Sequence, residues 1–221
     1  MGSHITPGDA FEYEPKNTLA YGGVMRITSS AFRQEERIPT RYSCEGEDIS
    51  PELTWEGAPA ETAAFALILH DPDAPRTNGF THWMLYNIPR NVTHIPENVP
   101  EGPRVSGLGL QGKNDGGRVG YMGPCPPSGT HRYYLRLFAL RKELDLRPGA
   151  TAPELQSAMH DHILEQAELM GTYAKTKAKS AYRVEVTLLQ RDYSVSCMAH
   201  CPSSVKPFMW GPCLTGREAG N

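Results

Sequence analysis

The 221-residue chain contains no apolar run long enough to cross a bilayer, which argues against membrane insertion. It has no lysine–arginine block and a formal charge of only −3, so binding nucleic acid through phosphate neutralisation is not expected. The opening MGSHITPGDAFEYEPKNTL lacks the basic start and apolar middle of a secretory signal, and the expected location is cytoplasmic. Cysteine is sparse: Cys44, Cys125, Cys197, Cys201 and Cys213 form an odd, scattered set that implies no disulfide framework. There is no GxSxG nucleophile elbow, and CMAHC (197–201) lacks the paired CxxC of a zinc knuckle.

Glycine and proline are plentiful, 21 and 19, and favour a turn-rich, strand-rich fold over a helical bundle. Residues 1–24 read as a loose leader, and a compact region begins at MRITSSAF (25–32). A short strand is expected at Leu53–Trp55. AAFALILHDPDAP (63–75), THWMLYNIP (81–89) and HRYYLRLFAL (131–140) read as three stronger strands. Residues 90–130 read as a long glycine- and proline-rich loop, which a compact domain keeps only for a purpose. A helix is expected from Thr151 to Gly171. Thr151 and Glu154 have capping-box spacing, Leu155, Met159, Ile163, Ala167 and Met170 recur at helical intervals, and Gly171 is a stop. His160 and His162 are placed on that helix's surface. YRVEVTLLQ (182–190) alternates like an edge strand, within an appendage spanning 175–221.

Strand periodicity places chemistry at one rim. Phe65, Leu67, Leu69 and Asp71 share a face, as do His131, Tyr133, Leu135 and Leu137, while His82 is assigned to a face with Met84 and Tyr86. If consecutive strands pair antiparallel, Asp71 at the end of one lies near His82 at the start of the next, and His131 joins them. Apolar walls with a few convergent polar groups make a small-ligand pocket. GPCPP (123–127) supplies a stiff wall, because consecutive prolines fix φ and leave little entropy to lose on binding. Two histidines and an aspartate behind such a lip suit an anion.

DPDAP (71–75), HWMLYNIP (82–89) and GYMGPCPPSGTHRYYLRLFAL (120–140) closely resemble the phosphatidylethanolamine-binding protein family, also called Raf kinase inhibitor-like. YSCEGEDISPELTW (42–55) and ELMGTY (168–173) tie the likeness to its bacterial and archaeal, YbhB/YbcL-type branch, over residues 25–174. The resemblance implies a mainly β fold, a two-sheet antiparallel β-sandwich with a few peripheral helices. It also implies an anion pocket for phosphate or phosphorylated head groups. Ligand-binding positions would be Asp71, His82, Pro127, His131 and Tyr133, with Ala74, Pro75, Tyr121 and Gly123 as wall, and the Ala74–Pro75 bond would be cis. It further implies a homodimer, a protein partner such as a kinase or protease, no cofactor and no enzymatic activity.

Blander readings compete at each position. His82 and His131 singly read as satisfied polar residues at strand ends, and with Asp71 they could form a metal triad. Ser128 and Thr130 sit in a turn where hydroxyls serve local hydrogen bonds. Cys125 reads as a small buried filler, Trp83 as core, and His70 as lying on the strand face opposite Asp71. A weak phosphoester hydrolase, or an inhibitor acting through the 98–119 loop, stands as the alternative to a ligand-binding protein.

Overall fold

The computed structural model describes residues 24–176. The expectations placed on the leader before Val24, on the alternating segment 182–190 and on CMAHC lie outside the described residues. Among the described residues, nine strands and one α-helix follow in order: β1 (Arg26–Thr28), β2 (Leu53–Glu56), β3 (Ala64–Asp71), β4 (Phe80–Pro89), β5 (His94–Ile95), β6 (Arg104–Val105), β7 (Gly109–Gln111), β8 (His131–Leu140), α1 (Ala152–Met159) and β9 (Ile163–Tyr173). They form two antiparallel sheets, β1-β2-β5 and β6-β7-β4-β3-β8-β9. The expected mainly β, two-sheet architecture is present.

The three apolar runs at 64–71, 80–89 and 131–140 take the centre of the large sheet because both of their faces must be buried. One face, carrying Phe65, Leu67, Leu69, Leu135 and Leu137, packs with Ile27, Leu53, Trp55 and Ile95 of the small sheet. The other face, carrying Ala66, Ile68, Met84, Tyr86 and Phe138, is covered by Ala152, Leu155 and Met159 of α1 and by Leu144. No helix among the described residues is long and apolar enough to cross a membrane.

Three expectations change here. The helix ends after two turns: its capping box at Thr151 and Glu154 is formed, but residues from Ile163 onward are β9. β9 pairs with β8 along its length, from His131↔Tyr173 to Leu140↔Ile163. Without it, the outer edge of β8 would leave a row of backbone donors and acceptors unpaired, and this tertiary demand overrides a weak helical pattern. Ala167, Leu169 and Tyr173 point into the inter-sheet core instead. Gly171 is not a helix stop. A Cβ there would lie 2.6 Å from Ile38 Cγ1 and 2.7 Å from Phe32 Cε2, so glycine admits these two side chains against the strand. His160 is the exposed C-cap of α1, and His162 lies beyond the helix.

The long loop of 90–130 also carries order. It contains β5, β6 and β7, and the β6–β7 hairpin extends the large sheet beyond β4. These strands are two or three residues long, too short for any periodicity to register.

The third change is a disulfide joining Cys44 to Cys125, with Cα atoms 5.5 Å apart. Cys125 is therefore neither a free thiol nor a buried filler; both cysteines are exposed. Eighty-one positions separate the pair, so no local spacing announces it.

Candidate functional site

A β-bulge builds the site. Leu69 pairs with Trp83 and His70 with Thr81, so His82 is an extra residue on β4. The bulge turns His82 away from the α1 side, where Met84 and Tyr86 pack, and towards Asp71 and Tyr133. The face assigned to His82 from strict alternation is thereby corrected. Trp83 is fully buried between the sheets as expected, and its Nε1–H donates to Gln111 Oε1 at 2.7 Å.

Asp71, His82, His131 and Tyr133 converge in a cavity of about 330 Å³. Its remaining walls include Ala74, Pro75, Arg76, Phe80, Met122, Gly123, Cys125, Pro126 and Pro127. Eight of the nine sequence-predicted positions thus line one opening. The ninth, Tyr121, stands behind the wall: it is buried, its hydroxyl donates to the Tyr42 carbonyl at 2.7 Å, and its ring packs edge-on against Trp83.

Within the cavity, His131 Nδ1–H donates to Asp71 Oδ2 at 2.8 Å, and both residues are buried. Asp71 Oδ1 accepts from the Asp73 N–H at 2.8 Å, which fixes the carboxylate plane. His82 Nδ1–H donates to the Met122 carbonyl at 2.9 Å, since a carbonyl can only accept. Burial pushes the His82 imidazole below its ordinary 6.5, so the ring is neutral at pH 7. The Tyr133 hydroxyl is buried and makes no hydrogen bond of normal geometry. Burial first, and then the nearby Asp71 carboxylate, raise its pKa, so it remains a protonated donor. His82 and Tyr133 meet edge to face with ring centroids 5.3 Å apart.

The wall is braced from the loop after the 3₁₀ turn Thr40–Tyr42. Gly123 N–H donates to Asp48 Oδ1 at 2.6 Å, Cys44 N–H to the Pro124 carbonyl at 3.2 Å, and the disulfide adds a covalent tie at Cys125. Asp48 is held in turn by Arg118 Nη1 at 2.9 Å. On the opposite lip, Asp73 clamps Arg132, the residue after His131, through its N–H and guanidinium at 2.7–2.9 Å. Arg132 accordingly holds the Asp73 carboxyl below its usual range. Asp48, Asp73, Arg76 and Phe80 were not predicted. Asp73 and Arg76 lie in the turn after β3, where strand alternation no longer assigns a side.

The Ala74–Pro75 bond is trans, and no cis peptide occurs among the described residues. Arg76 N–H donates to the Ala74 carbonyl at 2.7 Å, closing a tight turn centred on Pro75. Proline's fixed φ suits the centre of an inverse γ-turn, so the bend needs no cis bond. His70 lies on the far side of β3 from Asp71, with Nδ1 3.4 Å from Thr81 Oγ1. No group of three or more His, Cys, Asp and Glu side chains among the described residues is arranged to hold a metal ion.

The phosphatidylethanolamine-binding protein family model matches residues 28–174, well over half of the chain. The chain belongs to this family. It is similar to a UPF0098 protein of Methanothermobacter thermautotrophicus, 49% identical over 151 residues that cover 68% of this chain and 99% of the relative. A UPF0098 protein of Aquifex aeolicus is 46% identical over 159 residues, covering 71% and 92%. Among solved structures it resembles the phosphatidylethanolamine-binding protein homologue CT736 of Chlamydia trachomatis, with TM-score 0.62 and 40% identity, covering 69% of this chain and 99% of that one. Escherichia coli YbcL, described as a new member of the mammalian PEBP family, aligns with TM-score 0.63 and 29% identity over the same shares. Membership supports a binding-protein role and agrees with the fold.

Proposed function

We propose that the protein captures a small phosphate-bearing anion in the cavity between Asp71, His82, His131 and Tyr133, and that it binds this ligand without turning it over. One observation carries the reading: Asp71, His82, His131 and Tyr133, drawn from three different strands, converge with the proline wall on one cavity of about 330 Å³. A few convergent polar groups inside largely apolar walls are the usual make-up of a small-ligand site. The stiff, cross-linked proline wall fits this role because little ordering is left for binding to impose.

Binding is favoured over catalysis by the nucleophile inventory. The Cys125 sulfur is consumed in the disulfide, and Ser128 and Thr130 are exposed and do not line the cavity. Titration calorimetry with inorganic phosphate on wild type and His131→Ala tests the reading. The variant should lose at least about tenfold in affinity, the usual scale for losing a hydrogen bond to a charged group. Equal affinities in the two proteins would reject it, and so would steady release of alcohol from a phosphomonoester.

A further inference from the structure

We propose that the Cys44–Cys125 disulfide is a reversible redox site, opened by thiols of the glutathione class, and that its state decides whether the loop 124–130 is pinned or loose. The exchange is independent of what the cavity binds. Its effect follows from where the bond sits. Going along the chain towards β8, Gly123 N–H is held by Asp48 Oδ1 at 2.6 Å, and the Pro124 carbonyl accepts from Cys44 N–H at 3.2 Å. The disulfide comes next, at Cys125. Beyond it, residues 126–130 take part in no hydrogen bond or ion pair with other described residues until His131 opens β8. Pro127 to Thr130 are exposed, and Gly129, at φ 72°, has nothing within 4 Å of where a Cβ would stand. The cross-link is therefore the last tie before an unsupported turn.

The two sides of the bond differ in firmness. The Ser43 hydroxyl meets the Tyr173 hydroxyl at 2.7 Å, and Glu45 accepts from Tyr173 O–H at 2.6 Å and from Thr176 N–H at 3.0 Å. Cys44 thus stands between two residues anchored to the end of β9, and movement on opening falls to the Cys125 side. Both cysteines are exposed, so a thiolate reaches either sulfur without unfolding the protein. Exposed disulfides are the labile kind, whereas buried structural ones resist exchange.

The chemistry is two exchanges. A glutathione thiolate attacks one sulfur, the S–S bond breaks, and the other sulfur leaves as a thiolate that takes up a proton. A second glutathione thiolate attacks the mixed disulfide and departs as oxidised glutathione, and the remaining cysteine takes up its own proton. Two electrons have then passed from two glutathiones to the protein. Re-closure is favoured by what reduction leaves intact. Tyr121 O–H, Gly123 N–H and Cys44 N–H keep their acceptors, so the two loops stay near the 5.5 Å Cα separation that a disulfide needs. Pro124 and Pro126 fix φ on either side of Cys125, which limits where its sulfur can go.

The experiment equilibrates the wild-type chain in glutathione buffers running from oxidised to reduced, alkylates free thiols and maps them by peptide mass spectrometry. Mapping separates Cys44 and Cys125 from Cys197, Cys201 and Cys213. Both should pass from blocked to alkylated as the reduced share rises, and return when the buffer is reversed, with the circular dichroism of the fold unchanged. On reduction, backbone order parameters at Cys125 and Ser128 should fall into the flexible range, below about 0.6, while Leu135 and Leu137 of β8 stay rigid. Cys44→Ser with Cys125→Ser should show the loose loop in every buffer, and the wild-type arm decides alone if that variant does not fold. Cysteines that become alkylatable only on unfolding would overturn the redox site. An opened pair whose loop keeps its oxidised order parameters would overturn the switch.

Discussion

Asp71 and His131, sixty positions apart in the chain, meet through a 2.8 Å hydrogen bond at the buried end of two paired strands. β3 and β8 are central neighbours in the six-stranded sheet, so the pair is held by the same register that forms the core. The bulge on β4 then brings His82 to the same opening. A fold that buries apolar runs thus delivers three polar side chains to one rim.

Asp71→Asn tests that pairing. The amide can still accept from Asp73, but it no longer offers His131 a charged acceptor. Stability should drop by about 1–3 kcal/mol, the range for disturbing a buried hydrogen bond to a charged group. Phosphate affinity should fall with it. Chemical denaturation and calorimetry on one preparation measure both, and an unchanged midpoint with unchanged affinity would contradict the role given to the carboxylate.

Acid should destabilise the protein earlier than its carboxylates alone would. His82 and His70 are both held below the ordinary 6.5, chiefly by burial. Each therefore takes up a proton more readily unfolded than folded. Their contribution is complete above about 6.5 and is lost as pH falls through the depressed folded values. Melting curves from pH 8 to 5 should show Tm declining below about pH 6.5. A flat or rising Tm across that window would count against neutral, buried rings.

Cys44→Ser with Cys125→Ser should cost about 2–4 kcal/mol, the usual contribution of a cross-link closing a long loop. Reduction of the wild-type protein with a dithiol should cost the same. Three hydrogen bonds, from Tyr121, Gly123 and Cys44 N–H, still hold the wall to residues 42–48. The fold should therefore survive, with weaker phosphate binding. Denaturation with and without reductant, with the bond state checked by mass spectrometry, is the measurement. Identical midpoints would show that the cross-link adds nothing.

Gly123→Ala should damage the pocket more than its size suggests. A Cβ there would lie 2.7 Å from Asp48 Oδ1 and 2.9 Å from Ser43 Cα, and backbone at that distance must shift. The expected result is a loss of about 1–3 kcal/mol, as for overpacking, together with loss of phosphate binding. Retained affinity would mean that the wall is not close-fitting.

The strands at 64–71, 80–89 and 131–140 were legible because doubly buried strands are continuous apolar runs of strand length. Their polar ends marked the rim, which is why Asp71, His82 and His131 could be named together. What stayed hidden depended on pairing. The bulge that re-aims His82 arises from how β4 meets β3, and nothing in HWMLYN signals it. Residues 163–173 fit both a helical and an alternating pattern, and the unpaired edge of β8 decided between them. The Cys44–Cys125 bond joins two loops that only the fold brings together. Tyr121 and Tyr133 both precede or follow the proline wall, yet one braces it from behind and the other opens onto the cavity.

The central claim is that one cavity gathers these side chains to hold negative charge, and a crystal structure of the protein soaked in phosphate tests it most directly. The account predicts tetrahedral density within hydrogen-bond reach of the Tyr133 hydroxyl and of both imidazole Nε2 atoms. Phosphate bound elsewhere with the cavity empty, or a cavity filled by the chain's own side chains, would contradict it.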